Sequence, residues 1–449
     1  MSVPDIPKTM RAVVYRGIND LRVETVPVPT IRAHELLVRV AVCGVCPTDI
    51  KKIQYGTVPP PRIFGHETAG TIVQIGSQKA EGGRQKSHSA LRTPHSEFRI
   101  GDRVALHHHV PCLDCHFCRH HTFAQCETYK RTGITAGFEP AGGGYAEYVR
   151  VMPFVLPGVV KIPAKNSFAE GAMLEPVNTV LKAVRRLSLL RGDVVLVAGQ
   201  GPIGLMFTRL LQLAGARVIA TDLLASRLKL AKKFGAKWTM QAQSGRAELP
   251  LRPPAKVGRA VPFPSSDGAH GMTRPANSQL STFNPQLAAR GLDAAVIAVP
   301  SDAAVQQALQ LVRCGGQVLL FAHTKRADSV GRVTPCAPQP PITPTARRGL
   351  TRPTTPIAQS FSHSDFSLQP SAFSLDLASI CVDEKDLLGS YSSDFTLQRE
   401  VARLVFSRQL DVRGLISHDF PLEQTAAAVS LAARPTPDSL KILVRTAYD

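Results

Sequence analysis

One turn constrains this chain more than any other feature. VVLVA at 194–198 reads as a buried β-strand, and LMFTRLLQLA at 205–214 reads as an apolar helix. Between them stand Gly199, Gln200, Gly201, Pro202, Ile203 and Gly204. A G-x-G-x-x-G sextet in a loop would mean little, but here it joins strand to helix. The first glycine then permits the tight turn, the second lets backbone approach a pyrophosphate, and the third lets helix and strand pack closely. The helix opened by Pro202 and Ile203 offers its free N–H groups to phosphate. A second strand, RVIATD, ends in Asp222, 18 residues past Gly204. A carboxylate there accepts both ribose hydroxyls of an adenosine and repels a 2′-phosphate, which predicts NAD rather than NADP.

The sequence around that turn alternates. Strand runs VVLVAG, RVIATD, DAAVIAVP and QVLLFAH are separated by helical LMFTRLLQLA, SRLKLAKKFG and DAAVQQALQLVRCG. Such alternation is the mark of βαβ units and a doubly wound parallel sheet. The N-terminal third reads differently. RAVVY, LLVRVAVCGV, AGTIVQIG, DRVAL and YAEYVRV are short strands punctuated by Gly and Pro, as in a small all-β unit. A helical segment, KIPAKNSFAEGAMLEPVNTVLKAVRRL, joins the two regions, and the tail mixes strand and helix before ending in SLKILVR.

Residues 79–97, 244–285 and 331–374 fit neither pattern. They hold 16 of the 35 prolines and carry +8 of the net charge of +19. Their composition predicts irregular, exposed, protease-sensitive insertions whose deletion leaves a folded core. The basic balance is thus partly a property of insertions, which argues against a nucleic-acid partner. No run of about 18 apolar residues exists, so no membrane span is expected. The N-terminus lacks an apolar signal segment, and the nine clustered cysteines suit reduced thiols, so the expectation is a cytoplasmic chain.

Cys112, Cys115, Cys118 and Cys126 are spaced C-x2-C-x2-C-x7-C. Four thiolates on one loop can wrap a zinc ion tetrahedrally with no open position, which is structural rather than catalytic. An iron–sulfur cluster is the rival. Histidines 107, 108, 109, 116, 120 and 121 around this loop are read as solvated side chains. A second, dispersed set comprises Cys46, His66, Glu67 and Glu175, with Cys43 as a competing thiol. Cysteine, histidine and carboxylate with a vacant position is the donor set of catalytic zinc.

Taken in order, Gly44–Asp49 (G-x-C-x-T-D), Gly65–Glu67 (GHE), the four-cysteine loop, Gly101–Val104 (GDRV), Gly143–Val149 (GGYAEYV) and the GQGPIG turn resemble the zinc-dependent medium-chain alcohol and polyol dehydrogenases. The resemblance implies an α/β protein with a GroES-like β-rich catalytic domain and a Rossmann domain. The expected boundaries are 1–178 for the first, 179–330 for the second, 331–374 for an insertion, and 375–449 for a return to the catalytic domain. It implies Cys46 rather than Cys43 as ligand, with His66 and Glu175. Glu67 is implied to stand behind them or to ligate transiently. Glutamate at 175, where alcohol dehydrogenases usually carry cysteine, places the chain nearer the sorbitol- and threonine-type enzymes.

The implied activity is hydride transfer between a secondary alcohol, polyol or amino alcohol and NAD, with two zinc ions and a homo-oligomeric state. Thr48 would carry the hydroxyl proton, Thr179 would contact the nicotinamide end, and Arg227 would flank the adenosine ribose; each is equally readable as structural. Relatives often place a histidine five residues past the ligand cysteine, where this chain has Lys51. Either the proton route ends in water, or Lys51 replaces the histidine, or Lys51 and Lys52 meet an anionic substrate, or both are simply solvated. The rival readings are a homologue silenced by its insertions and a basic zinc-ribbon protein binding nucleic acid through 79–126.

Overall fold

The computed structural model describes residues 5–76, 97–107, 110–127, 142–242, 285–322 and 377–446. Apart from Glu97 and Pro285, the three proline-rich stretches lie outside the described residues.

The N-terminal elements are β1 (Thr9–Gly17), β2 (Asp20–Pro27), β3 (Leu36–Gly44), α1 (Pro47–Tyr55), β4 (Arg62–Ile63), β5 (Glu67–Ile75), β6 (Arg103–Leu106), α2 (His116–Arg119), β7 (Tyr148–Val151) and β8 (Val160–Lys161). The strands alternate or run fully buried, as a sheet with a packed face requires. β1 and β2 form a hairpin whose turn includes Asn19 at φ 57°, a left-handed position that asparagine tolerates. A larger sheet centres on β3, which pairs antiparallel with β5 and β7.

The next elements are α3 (Phe168–Ala172), α4 (Leu174–Val184), β9 (Val194–Ala198), α5 (Pro202–Leu213), β10 (Arg217–Asp222), α6 (Ala225–Lys233), β11 (Trp238–Gln241), α7 (Pro285–Arg290), β12 (Leu292–Ile297), α8 (Asp302–Leu311) and β13 (Val312–Leu320). The final elements are α9 (Leu377–Cys381), β14 (Asp386–Gly389), α10 (Gln398–Phe406), β15 (Ile416–Pro421), α11 (Thr425–Ala433) and β16 (Lys441–Arg445). The sequence S-F-A-E starts α3 with a capping box, Ser167 and Glu170 satisfying each other's backbone amides.

Six strands form a wholly parallel sheet in the order β11-β10-β9-β12-β13-β14. The order reverses between β9 and β12, and the glycine turn leaves β9 at that switch point, where such sheets bind ligands. α4 lies between the two sheets. One apolar core joins Val42, Ala69 and Ala105 of the β-rich sheet to Val177, Val180 and Leu181 of α4 and on to Val195 and Val197 of β9.

Two expected boundaries fall differently. The division at 178/179 cuts through α4, an unbroken helix. Residues 386–389, expected to return to the β-rich unit, instead form the sixth strand of the parallel sheet. Farther on, β16 does return: it pairs antiparallel with β3, setting Leu443 opposite Gly44, while Glu67 faces Gly44 from the other side. No helix among the described residues is long and apolar enough to cross a membrane.

Candidate metal and nucleotide site

β3 runs out at Gly44, and Cys46 follows as the extended N-cap of α1, with Pro47 opening the helix. β5 starts across from it with His66 and Glu67. The donor atoms of Cys46, His66 and Glu67 all lie within 4.8 Å of one another. His66 Nδ1 sits 3.0 Å from the wholly buried Asp49 carboxylate, on the first turn of α1. Burial works to raise the Asp49 carboxyl, but the His66 charge outweighs it and holds the group low. For His66 burial works downward, and Asp49 and Cys46 lift it well above its usual range. With Nδ1 committed to Asp49, Nε2 is the nitrogen left for a metal, and a carboxylate behind a ligating histidine is the usual way such a ring is fixed.

Glu67 is nearly fully buried and accepts the Lys441 ammonium, 2.5 Å away at Oε1 and closer still at Oε2. Lys441 Nζ also donates to Val45 O at 3.0 Å. Burial works against the lysine's charge, yet Glu67 outweighs it and keeps the amine above its ordinary value. Sequence reasoning assigns no role to Asp49 or Lys441. The available signal for Lys441 is a lone charge inside the apolar run SLKILVR, since a buried lysine needs a partner.

Glu175, in the first turn of α4, lies outside that 4.8 Å set but feels the charges of His66, Glu67 and Lys441. Burial pushes its carboxyl up to about 7, with too little positive charge nearby to bring it down. Cys43 points elsewhere. It lies 3.4 Å from Thr68 Oγ1, and burial pushes its thiol up to about 12. One thiol, one imidazole and two buried carboxyl groups, the ring already oriented by Asp49, form a donor set that fits zinc.

The second cluster is tighter. Cys112, Cys115, Cys118 and Cys126 converge within 4.8 Å, with Sγ separations of 3.5 Å for 115–118 and 3.9 Å for 112–118. Zinc–sulfur bonds of about 2.3 Å imply tetrahedral edges of about 3.8 Å, so the fit is close. Burial opposes the Cys112 charge, but amides of Asp114 and Cys115 and nearby thiols bring it down to about 6. Burial beside its neighbours pushes the Cys118 thiol up instead. His116 and His120 pack ring against ring outside the cluster, their centroids 4.5 Å apart and their planes tilted by 57°. His107, read from sequence as solvated, is fully buried, its Nε2 3.4 Å from Ser393 Oγ. The cause is its place just after β6, where residues following β14 cover it.

The three glycines of the turn differ as their roles require. Gly199 adopts φ 91°, a left-handed conformation costly for other residues. A Cβ on Gly204 would lie 1.8 Å from Gly199 O, whereas one on Gly201 would meet nothing within 4 Å. The open side of the turn is therefore at Gly201, the cradle a pyrophosphate needs. Asp222 is buried and accepts the amides of Gln200 at 2.6 Å and Leu224 at 2.9 Å, which ties the end of β10 to that turn. Arg227 donates to Ser439 O at 3.3 Å, and its Nε is buried without a hydrogen-bond partner among the described residues. Thr179 donates to Glu175 O on its own helix, at 3.2 Å. Thr48 Oγ1 lies 3.0 Å from Cys46 Sγ. Lys51 is half-buried, which pushes its amine down, while Lys52 approaches Asp49 at 4.0 Å.

Residues 32–164 match the alcohol dehydrogenase GroES-like domain. Sorbitol dehydrogenase of Bacillus subtilis is 31% identical over 237 residues, 51% of this chain and 61% of that protein. Probable D-xylulose reductase A of Emericella nidulans is 30% identical over 243 residues, 52% of this chain and 61% of its own length. Residues 32–164 thus match a GroES-like domain of the alcohol dehydrogenases, and the chain is similar to polyol dehydrogenases over about half of its length. The chain spans about three-fifths of the length of the curated relatives it matches. Its fold agrees with solved structures across nearly the whole chain. A zinc-binding dehydrogenase of Sinorhizobium meliloti bound to NADP superposes with a TM-score of 0.69 at 23% identity, covering 98% of this chain and 100% of the other. 2R,3R-butanediol dehydrogenase of Bacillus subtilis gives 0.65 at 20% identity over 98% and 100%.

Proposed function

We propose that this chain is an NAD-dependent zinc dehydrogenase acting on a secondary hydroxyl of a polyol or amino alcohol, as a cytoplasmic homo-oligomer. The observation that carries the reading is the convergence of Cys46, His66 and Glu67, with Asp49 beside the imidazole and the buried Glu175 of α4 within reach of their charges. The names of the relatives, sorbitol dehydrogenase and D-xylulose reductase, support the polyol class.

When bound, zinc supplies a Lewis acid that acidifies a substrate hydroxyl, and NAD supplies the hydride acceptor. Cys46, His66 and Glu175 would hold the catalytic ion. Lys441 neutralises Glu67, so this carboxylate stands by the cluster as a positioned partner. Thr48, 3.0 Å from Cys46 Sγ, would receive the hydroxyl proton, and Lys51 on the same helix would lead it toward solvent. Gly199, Gly201 and Gly204, with Pro202 and Ile203 starting α5, seat the pyrophosphate. Asp222 and Arg227 flank the ribose, and Thr179, one turn past Glu175, lies toward the nicotinamide. The four-cysteine loop would hold the second zinc structurally.

The direct test is NADH formation by the purified chain with sorbitol, xylitol, 2,3-butanediol and threonine. Turnover of at least one is expected; a folded, zinc-loaded protein inert toward the whole panel would end the proposal. Metal analysis should give about two zinc ions per chain. NAD should be favoured over NADP by at least about tenfold, since a 2′-phosphate beside Asp222 costs more than about 1.4 kcal/mol. Equal use of NADP would mean that Arg227 captures the phosphate instead.

A further inference from the structure

Away from the metal and nucleotide sites, a groove of about 630 Å³ opens between α1 and α11, with the β1–β2 turn at one end. Its floor is apolar, made by Leu21, Ile53, Ala426 and Val429. Its polar side chains are those of Asn19, Gln54, Ser430 and Arg434, and among the described residues none of these four side chains has an intramolecular hydrogen bond or ion pair. Of the carboxylates near in sequence, Asp20 is held by Arg22 at 2.8 Å and Glu423 by Arg11, while Asp438, four residues past Arg434, is hydrogen-bonded with Thr436. Arg434, at the C-cap of α11, offsets the partial negative charge of the last helix carbonyls and leaves this end of the groove with a guanidinium that has no counter-ion among the described residues. At the α1 end, Tyr55 is 63% exposed and Ile18, which lies against Gly56, is 62% exposed, extending the apolar wall.

We propose that this groove binds a small aliphatic carboxylate. The planar guanidinium of Arg434 suits a bidentate carboxylate. The amides of Asn19 and Gln54 and the Ser430 hydroxyl are the remaining donors, and the aliphatic body lies on the floor between the helices. One cation without a second beside it matches a single negative charge better than a phosphate dianion. The volume is that of a small-molecule site, and three elements bound it, which favours a compact ligand over a flat protein partner.

The experiment is calorimetric titration of the zinc-loaded 449-residue chain with octanoate, and with octanamide as its uncharged analogue. Octanoate is expected to bind one per chain. Arg434→Gln should weaken it at least tenfold and Ala426→Trp, which fills the floor, should abolish it. Both positions are exposed, and alcohol turnover should be unchanged in both variants. Should Ala426→Trp fail to fold, Arg434→Gln decides alone. Absence of octanoate binding, octanoate affinity unaltered by Arg434→Gln, or octanamide binding equally well would overturn the proposal. So would a change in oligomeric state in Ala426→Trp, which would assign the groove to a second copy. Arg434-dependent sedimentation with phosphatidylglycerol vesicles without binding of free octanoate would assign it to a lipid surface, and would overturn it too.

Discussion

A Cys46→Ala protein is expected to hold one zinc ion per chain instead of two, and to turn over more than about 100-fold more slowly, with its thermal stability retained. The magnitude follows from a comparison. Losing a group that merely orients a ligand costs about 10–100-fold in metal affinity or activity, so losing a ligand must cost more. Stability should survive because Cys46 is only half-buried and its side chain caps nothing at the start of α1. The four-cysteine loop, on a separate segment, keeps its own ion. Asp49→Asn should fall inside the 10–100-fold range, since it leaves every ligand in place but loosens the His66 ring. Cys43→Ala is the control: it removes a buried thiol packed on Thr68, and should lower stability while leaving both zinc ions. Metal counts reversed between the two cysteine variants would move the ligand to Cys43 and break the proposed site.

How much of the site is legible in the sequence depends on whether a signal is local. The nucleotide cradle is fully visible because strand, glycine turn and helix are consecutive, and each glycine answers to a neighbour only a few residues away. The four-cysteine loop is visible for the same reason. The candidate metal cluster is visible only as a set of residue types, since Cys46 follows β3, His66 precedes β5 and Glu175 stands apart on α4. Lys441 escapes notice because its partner, Glu67, is 374 residues earlier in the chain. Only the pairing of β16 with β3 brings the two together. The strand β14 escapes too. DLLG is too short to show a period, and its place at the edge of the parallel sheet is fixed by pairing with β13. Helix α1 is hidden by Pro47 and a mixed apolar pattern, although proline is favoured in a first turn. The four thiols of the cysteine loop and the glycine turn can thus be read from local spacing, while the dispersed donors and the lysine that neutralises Glu67 wait on tertiary pairing.

The turn itself offers a sharper separation of structure from binding than any activity measurement. Gly201→Thr should leave thermal stability nearly unchanged and abolish the rise in Tm that NAD produces, whereas Gly204→Ala should lower Tm in the absence of any nucleotide. At Gly201 the backbone is extended (φ −66°, ψ −175°), which threonine adopts readily, and threonine caps a helix about as well as glycine. Its side chain enters space that is open in the protein, so only a ligand in the cradle would meet it. At Gly204 the terms oppose. Alanine gains about 1 kcal/mol of helix propensity over glycine. Its Cβ would however stand 1.8 Å from the Gly199 carbonyl oxygen, an overlap that no rotamer can relieve because both atoms belong to the backbone framework. Strain of this kind costs about 1–3 kcal/mol, occasionally more, and a backbone overlap this deep falls at the upper end; less the gain of about 1 kcal/mol, the net loss of about 2 kcal/mol lowers Tm by roughly 4–8 °C in a domain of this size. A bound ligand stabilises by RT ln(1 + [L]/Kd), about 2.7 kcal/mol at 100 times Kd, so the NAD-induced shift in the unsubstituted protein is large enough to see vanish. If NAD stabilises the Gly201→Thr protein as strongly as the unsubstituted one, the nucleotide does not lie against this turn, and the assignment of Asp222 and Arg227 to its ribose falls with it.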